Sequence, residues 1–202
     1  MSAPPVRRAA AQRPPVPAPP FPAARLAAPG EGAGEERRLR RAFGSFPTGV
    51  TVVTVGGAVP RGMTANSFTS VSLDPPLVLV CVAKEARMRG SLAAAPDFAV
   101  SVLGADQEHV ARHFADRSRP PGADQFDAVD WFPGPATGAP VLTGAVAHFE
   151  CRAWRSYDGG DHTLHVGRVL SWQEAPDRDT LLFHRGRLGS IGRPGRSPGA
   201  VA

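Results

Sequence analysis

The chain has 202 residues, 42% of them hydrophobic, which suits one globular core with tails and excludes a low-hydrophobicity disordered chain. Its net charge of +5 is segregated: residues 1–41 hold eight arginines against three glutamates, residues 42–184 hold 11 basic and 15 acidic groups, and residues 185–202 add four arginines. The foldable part is therefore acidic, so nucleic acid is not expected as a partner, and no apolar run is long enough to predict a signal peptide or a membrane span.

Residues 1–34 are Pro, Ala, Arg and Gly with few large apolar side chains, and are expected to remain a disordered tail. Glu35 to Phe43 places Leu39 and Phe43 on one face of a short helix that stops near Gly44. A turn at Phe46-Pro47-Thr48-Gly49 leads into Val50 to Val55, whose β-branched density predicts a strand, reversed at Gly56-Gly57. The stretch Gly62 to Pro76 is crowded with hydroxyl and amide side chains between two strand-like runs, so its polar groups need backbone, water or a ligand as partners.

Leu77 to Val82 has no alternation and reads as a central strand covered on both faces. Lys84 to Arg89 forms a positively charged bend, and Met88, Leu92 and Ala95 mark a helix that Pro96 ends. Phe98, Val100 and Val102 alternate on the next strand, Val110 and Phe114 mark a helix over 106–115, and residues 117–140 read as a long surface excursion, a lid or a dimer arm. Two long alternating runs joined at Asp158-Gly159-Gly160 make a β-hairpin, and Leu181 to His184 is a last short strand before a second tail at 192–202. Six or seven strands with three short helices predict one mainly β domain over 35–191, a closed antiparallel barrel with peripheral helices.

Cys81 and Cys151 each sit singly in an apolar run, which favours buried free thiols and a cytoplasmic location. His148, Cys151, His162 and His165 could be assembled into a metal site only against strand alternation, so no metal is expected. The chain lacks the Gly-x-Ser-x-Gly elbow, the phosphate-cradling Gly-x-x-x-x-Gly-Lys-Ser/Thr loop and His-Glu-x-x-His, which removes the common hydrolase and nucleotide triphosphatase layouts. A ligand rich in carbonyls, ring nitrogens and phosphate remains, and Thr64, Asn66, Ser67 and Ser72 suit it. On the residues alone, a hydroxyl-rich stretch is more often strand and turn chemistry than a ligand site, and His162, alternating with Leu164 and Val166, is more often a partly buried structural histidine.

Phe46-Pro47-Thr48-Gly49-Val50, Thr64-Ala65-Asn66-Ser67-Phe68 with Val71 to Pro76, and Gly160-Asp161-His162-Thr163 resemble the signatures of the flavin reductase family, the NAD(P)H-dependent partners of two-component flavin monooxygenases. The resemblance runs from about Leu39 to Ile191. It implies an FMN-binding split β-barrel of antiparallel Greek-key type, a homodimer that holds FMN or FAD at its interface and passes reduced flavin to a separate monooxygenase. It also implies that Pro47, Thr48, Gly49, Thr64, Ala65, Asn66, Ser67, Val71, Ser72 and Phe98 bind the cofactor. Gly160, Asp161, His162 and Thr163 would lie at the nicotinamide of NADH or NADPH, with His162 as its catalytic contact. The chain departs from the family where Ala86 and Met88 replace a Ser-x-Thr pair on the flavin phosphate, and where Leu188 replaces a tyrosine. Phosphate binding then falls to Arg87, backbone amides and Lys84, the chain's one lysine. A non-catalytic flavin-binding sensor and a flavin-retaining oxidase on the same barrel are the alternative readings.

Overall fold

The computed structural model describes residues 33–190, so the tails expected at 1–34 and 192–202 lie almost wholly outside the described residues. Helix α1 (Ala33–Phe43) begins two residues ahead of its expected start, with Glu35 and Glu36 in its first turn and Arg40 and Arg41 in its last, the arrangement that complements a helix dipole.

Seven antiparallel strands form the main sheet: β2 (Thr51–Val55), β3 (Arg61–Ala65), β4 (Thr69–Leu73), β5 (Pro76–Ala83), β6 (Asp97–Val102), β9 (Ala147–Gly159) and β10 (His162–Glu174). Their order is β3-β2-β6-β9-β10-β5-β4. No ladder joins β3 to β4, so the barrel is split rather than closed, and the fold is mainly β as expected. Ser67, in the short link between the two edge strands, continues the β4–β5 register to Cys81, so the two edges stay close at that end. Both edges come from the hydroxyl-rich stretch, which is strand throughout most of its length. Its polar side chains suit edges, where a second apolar face would invite further pairing.

Strand β2 is buried at every position because it separates two cores. Val53 and Val55 join Val80, Val82, Phe98 and Cys151 inside the barrel, closed below by Met88 and Leu92 of α2 (Arg87–Ala94). Val50 and Val52 face outward against Val110 and Phe114 of α3 (Glu108–Ala115) and against Phe126. Strand β5 has only one fully covered face: Val78, Val80 and Val82 are buried, while Cys81 and Ala83 are partly exposed on the other. The two-sided burial expected for β5 is thus corrected, because its second face opens onto a cleft.

The excursion over 117–140 is largely at the surface but fastened to the core at several points. Gln125 and Phe126, in a 3-10 turn over Gly122–Phe126, are 1% exposed, and β7 (Trp131–Pro133) pairs with β8 (Pro140–Leu142). Glu150 Oε2 anchors the same region, accepting from the Ala136 and Thr137 backbone N–H groups and the Thr137 hydroxyl at 2.8–2.9 Å. A third small sheet, β1 (Thr48–Gly49), β11 (Leu182–His184) and β12 (Arg187–Gly189), holds the turn before β2 in place.

Candidate active site

Where the curled sheet leaves its gap, a cleft of about 560 Å³ opens between the β3–β4 connection, the start of α2, the end of α3 and the beginning of β10. Thr64, Ala65, Asn66 and Ser67 line one side, Arg87 the bend, and His162 the far end. Three segments far apart in sequence therefore line one opening.

The hydroxyl and amide side chains mostly hold the cleft together. Thr64 Oγ1 donates to the Ala111 carbonyl at 2.7 Å, fastening β3 to α3. Asn66 Nδ2 donates to Thr48 Oγ1 at 3.1 Å, and Ser72 Oγ accepts the Asp74 N–H at 3.2 Å. Ser67 Oγ bonds both backbone groups of Cys81. A ligand here meets backbone edges, small side chains and whatever polar capacity these bonds leave. The β3 edge is capped at Gly62, whose N–H donates to Gln125 Oε1 at 2.8 Å and whose carbonyl accepts from Arg119. By the two-residue period of a strand, Thr64 presents its backbone N–H and C=O along that same edge.

Several expected site residues lie off the cleft lining. Thr48 reaches it only through Asn66, with Pro47 and Gly49 behind it. Val71 is exposed on β4, and Ser72 shares that strand. Lys84 also lies off the lining: its Nζ pairs with Asp158 Oδ2 at 2.6 Å, which together with the Gly160 N–H holds the Asp158 carboxyl below the usual range. Phe98 is corrected: its ring is 2% exposed in the barrel core, beneath Gly167. A Cβ at Gly167 would come within 2.4 Å of that ring, which is why the β10 bulge carries glycine.

The Gly160 to Thr163 turn divides across the sheet. His162 is opposite Ala83 in register and faces the cleft, whereas Thr163 is opposite Val82, on the core face. Gly160 takes φ of 79° at the hairpin turn, where a side chain would be strained. His162 Nδ1 lies 2.8 Å from Asp161 Oδ1, and this contact holds the Asp161 carboxyl below its usual range. An ionised carboxylate can only accept, so Nδ1 carries the hydrogen, and in the neutral ring Nε2 is a lone-pair acceptor.

Sequence reasoning missed other lining residues: Arg61, Cys81, Ala83, Glu85, Phe114, Arg117 and Arg119. Cys81 and Ala83 were hidden by the unbroken apolar run of β5. Burial raises the Cys81 thiol, and burial with the Glu150 carboxylate pushes Cys151 up to about 12, so neither is poised as a nucleophile. Among the described residues no three of His, Cys, Asp and Glu are grouped to hold a metal ion.

The chain matches the flavin reductase like domain over residues 43–192. The chain belongs to the flavin reductase family. This is the family that its motifs resemble. It is 64% identical over 151 residues to an NADH-dependent FAD reductase of Streptomyces globisporus, covering 75% of this chain and 83% of that protein. A solved NADH:FAD oxidoreductase from the same organism, in complex with NAD and FAD fragments, superposes with a TM-score of 0.77 at 56% identity, over 85% of this chain and 99% of the other. The reductase subunit of a flavin-dependent monooxygenase from Rhodococcus jostii is 40% identical over 158 residues, 78% of each chain. The flavin reductase component of a bacterial two-component tryptophan halogenase superposes with a TM-score of 0.74 at 56% identity, over 77% and 97%.

The cleft of this flavin reductase suits a flavin on its own chemistry. Its floor is built from small side chains, Ala65, Ser67, Cys81, Ala83 and Ala86, against which a flat ring can lie. The first turn of α2 opens into it with no side-chain cap at Ala86, leaving N–H groups beside Arg87 for an anion. Met88, in the position of a family hydroxyl, is instead 2% exposed and fills the barrel core. Among the described residues no helix is long and apolar enough to cross a membrane.

Proposed function

We infer that the chain is an NADH:flavin oxidoreductase that reduces FMN or FAD in this cleft and releases the reduced flavin to a separate monooxygenase. The observation that carries the reading is the meeting of Asn66 and Ser67, Arg87 and His162 around one cleft in a member of the flavin reductase family. Asn66, Ser67 and the free edge at Thr64 would hold the ring, and Arg87 with the first N–H groups of α2 the phosphate. The flavin, when bound, supplies the hydride acceptor, and the protein contributes placement and electrostatics.

His162 serves as a positioning contact for the nicotinamide. With Nδ1–H committed to Asp161, Nε2 is free to accept from the carboxamide N–H of the reductant. It lines the same cleft as Asn66 and Ser67, which supports a nicotinamide stacked on the ring those residues would hold.

A homodimer completes the site. Val71, Leu73, Leu170 and Trp172 are large, apolar and 41–94% exposed, and they lie on the β4 and β10 strands that flank β5. A second copy covering this face would return Val71 and Ser72 to a cofactor-binding role across the interface.

The test is NADH consumption by the purified chain with excess FMN, FAD or no flavin. Flavin-dependent loss of nicotinamide absorbance is expected, with product flavin passing a dialysis membrane. No flavin-dependent turnover would leave a binding protein, and flavin retained through dialysis would point to an oxidase.

A further inference from the structure

Four guanidinium groups, those of Arg61, Arg87, Arg117 and Arg119, line the cleft, and Glu85 is the one carboxylate among its described lining residues. Arg87 and Arg117 make no hydrogen bond or ion pair with any described residue. Arg61 spends only Nε, donating to Ser91 Oγ at 3.1 Å. Arg119 is half-buried, its terminal nitrogens donate to the Asp116 and Gly62 carbonyls, and its Nε is buried without a partner. Burial and the neighbouring charges of Arg61 and Arg87 hold its proton affinity below the usual arginine range.

Like charges gathered in a half-enclosed site repel one another, and an unpaired buried donor costs free energy, so an anion bound among them would relieve both. Among the described residues no salt bridge involves Arg61, Arg87, Arg117 or Arg119. A multiply charged anion suits them, and guanidinium forks match phosphate oxygens in pairs. A single phosphate needs no more than Arg87 and the start of α2. The other three arginines exceed that need, and two of them come from one segment, 116–121, braced by Ser118 on the Asp116 carboxylate and by Arg119 over the Phe114 ring at 5.6 Å.

We propose that Arg61, Arg117 and Arg119 form a diphosphate subsite that selects a dinucleotide over its mononucleotide half. The proposal rests on the flavin reductase reading of the cleft. The diphosphate can come from FAD or from the nicotinamide dinucleotide, and the two sources share this chemistry.

The experiment is titration of the full chain and of its Arg117→Gln and Arg61→Gln variants with FAD, FMN, riboflavin and NAD+, followed by flavin fluorescence or calorimetry. Arg117 is exposed and unpartnered, so Arg117→Gln is expected to melt with the wild type. The ligand held here weakens about tenfold on loss of one charged hydrogen bond, while FMN and riboflavin change less than twofold. A loss confined to FAD assigns the subsite to the flavin, and one confined to NAD+ assigns it to the reductant. Less than twofold change for both dinucleotides, or an equal loss for riboflavin, overturns the proposal. A wild-type chain that binds NAD+ but no flavin sinks the reductase reading and leaves the NAD+ titration to decide the subsite; binding of neither overturns both.

Discussion

The Ser67 hydroxyl makes two hydrogen bonds to one residue, donating to the Cys81 carbonyl at 3.0 Å and accepting the Cys81 N–H at 2.9 Å. It thereby stands in for a strand partner at the place where the barrel splits.

Removing that hydroxyl leaves a part-buried N–H and C=O of β5 unpaired. Ser67→Ala is expected to lose about 1–3 kcal/mol of stability, the usual penalty for orphaned backbone groups. Denaturant unfolding measures it through the midpoint at constant slope. An unchanged midpoint would mean that water replaces the hydroxyl, and the brace would be dispensable.

Gly62 is glycine because Phe114 is beside it. A Cβ there would come within 2.4 Å of the Phe114 ring, and the ring is wholly buried against Phe126, at 5.4 Å between centroids. Gly62→Ala is expected to cost about 1–3 kcal/mol by overpacking. The test is a double-mutant cycle with Phe114→Leu, in which the smaller side chain recovers part of the loss; strict additivity would place the cost elsewhere.

Much of this architecture was legible because burial leaves a mark in residue type. Thr51 to Val55 and Leu77 to Val82 are β-branched or apolar throughout, and Val110 with Phe114 keeps helical spacing, so those elements could be read directly. Strands β3 and β4 could not, since both are edge strands rich in hydroxyl side chains, and the β3 edge is capped by groups remote in sequence: Gln125 reaches Gly62, and Arg119 reaches the same residue. The motifs likewise named Asn66, Ser67 and His162, which do meet, but could not show that Lys84 would be taken by Asp158 or that the Phe98 ring would lie under Gly167. Those outcomes depend on register and on a bulge, which no single stretch of sequence records.

His165 should make stability fall on the acid side of neutrality. It is 6% exposed, its Nδ1 lies 3.2 Å from Ser156 Oγ, and its Nε2 is buried without a partner. Burial, and then the charge of Arg89, lower its folded-state pKa below the ordinary value of about 6.5. The unfolded chain therefore takes up a proton that the native chain refuses. Stability is full above the unfolded value and declines as pH falls from about 6.5 toward the folded pKa, by at most about 1.4 kcal/mol per pH unit. Urea midpoints at pH 8 and 5.5 should differ less in His165→Gln than in the wild type; equal differences would remove His165 as the source.

Asp161 and His162 should act as one unit in recognition of the reductant. Both are partly or largely exposed, with side chains 87% and 42% accessible, so replacing either should leave the melting temperature unchanged. His162→Ala removes the acceptor Nε2 and is expected to raise the KM for NADH about tenfold, the worth of one well-placed hydrogen bond, with a smaller fall in kcat. Asp161→Asn keeps a partner for Nδ1 but no longer requires that nitrogen to be the donor, because an amide can itself donate. The Nε2 acceptor is then only partly populated, and KM should rise by less than in His162→Ala. Adding His162→Ala to Asp161→Asn should have no further effect beyond His162→Ala alone, since the aspartate acts only through the ring. Steady-state kinetics of the two single variants and the double variant measure this directly. Additive losses would give Asp161 an independent contact with the nicotinamide, and wild-type kinetics in His162→Ala would take the imidazole out of the site.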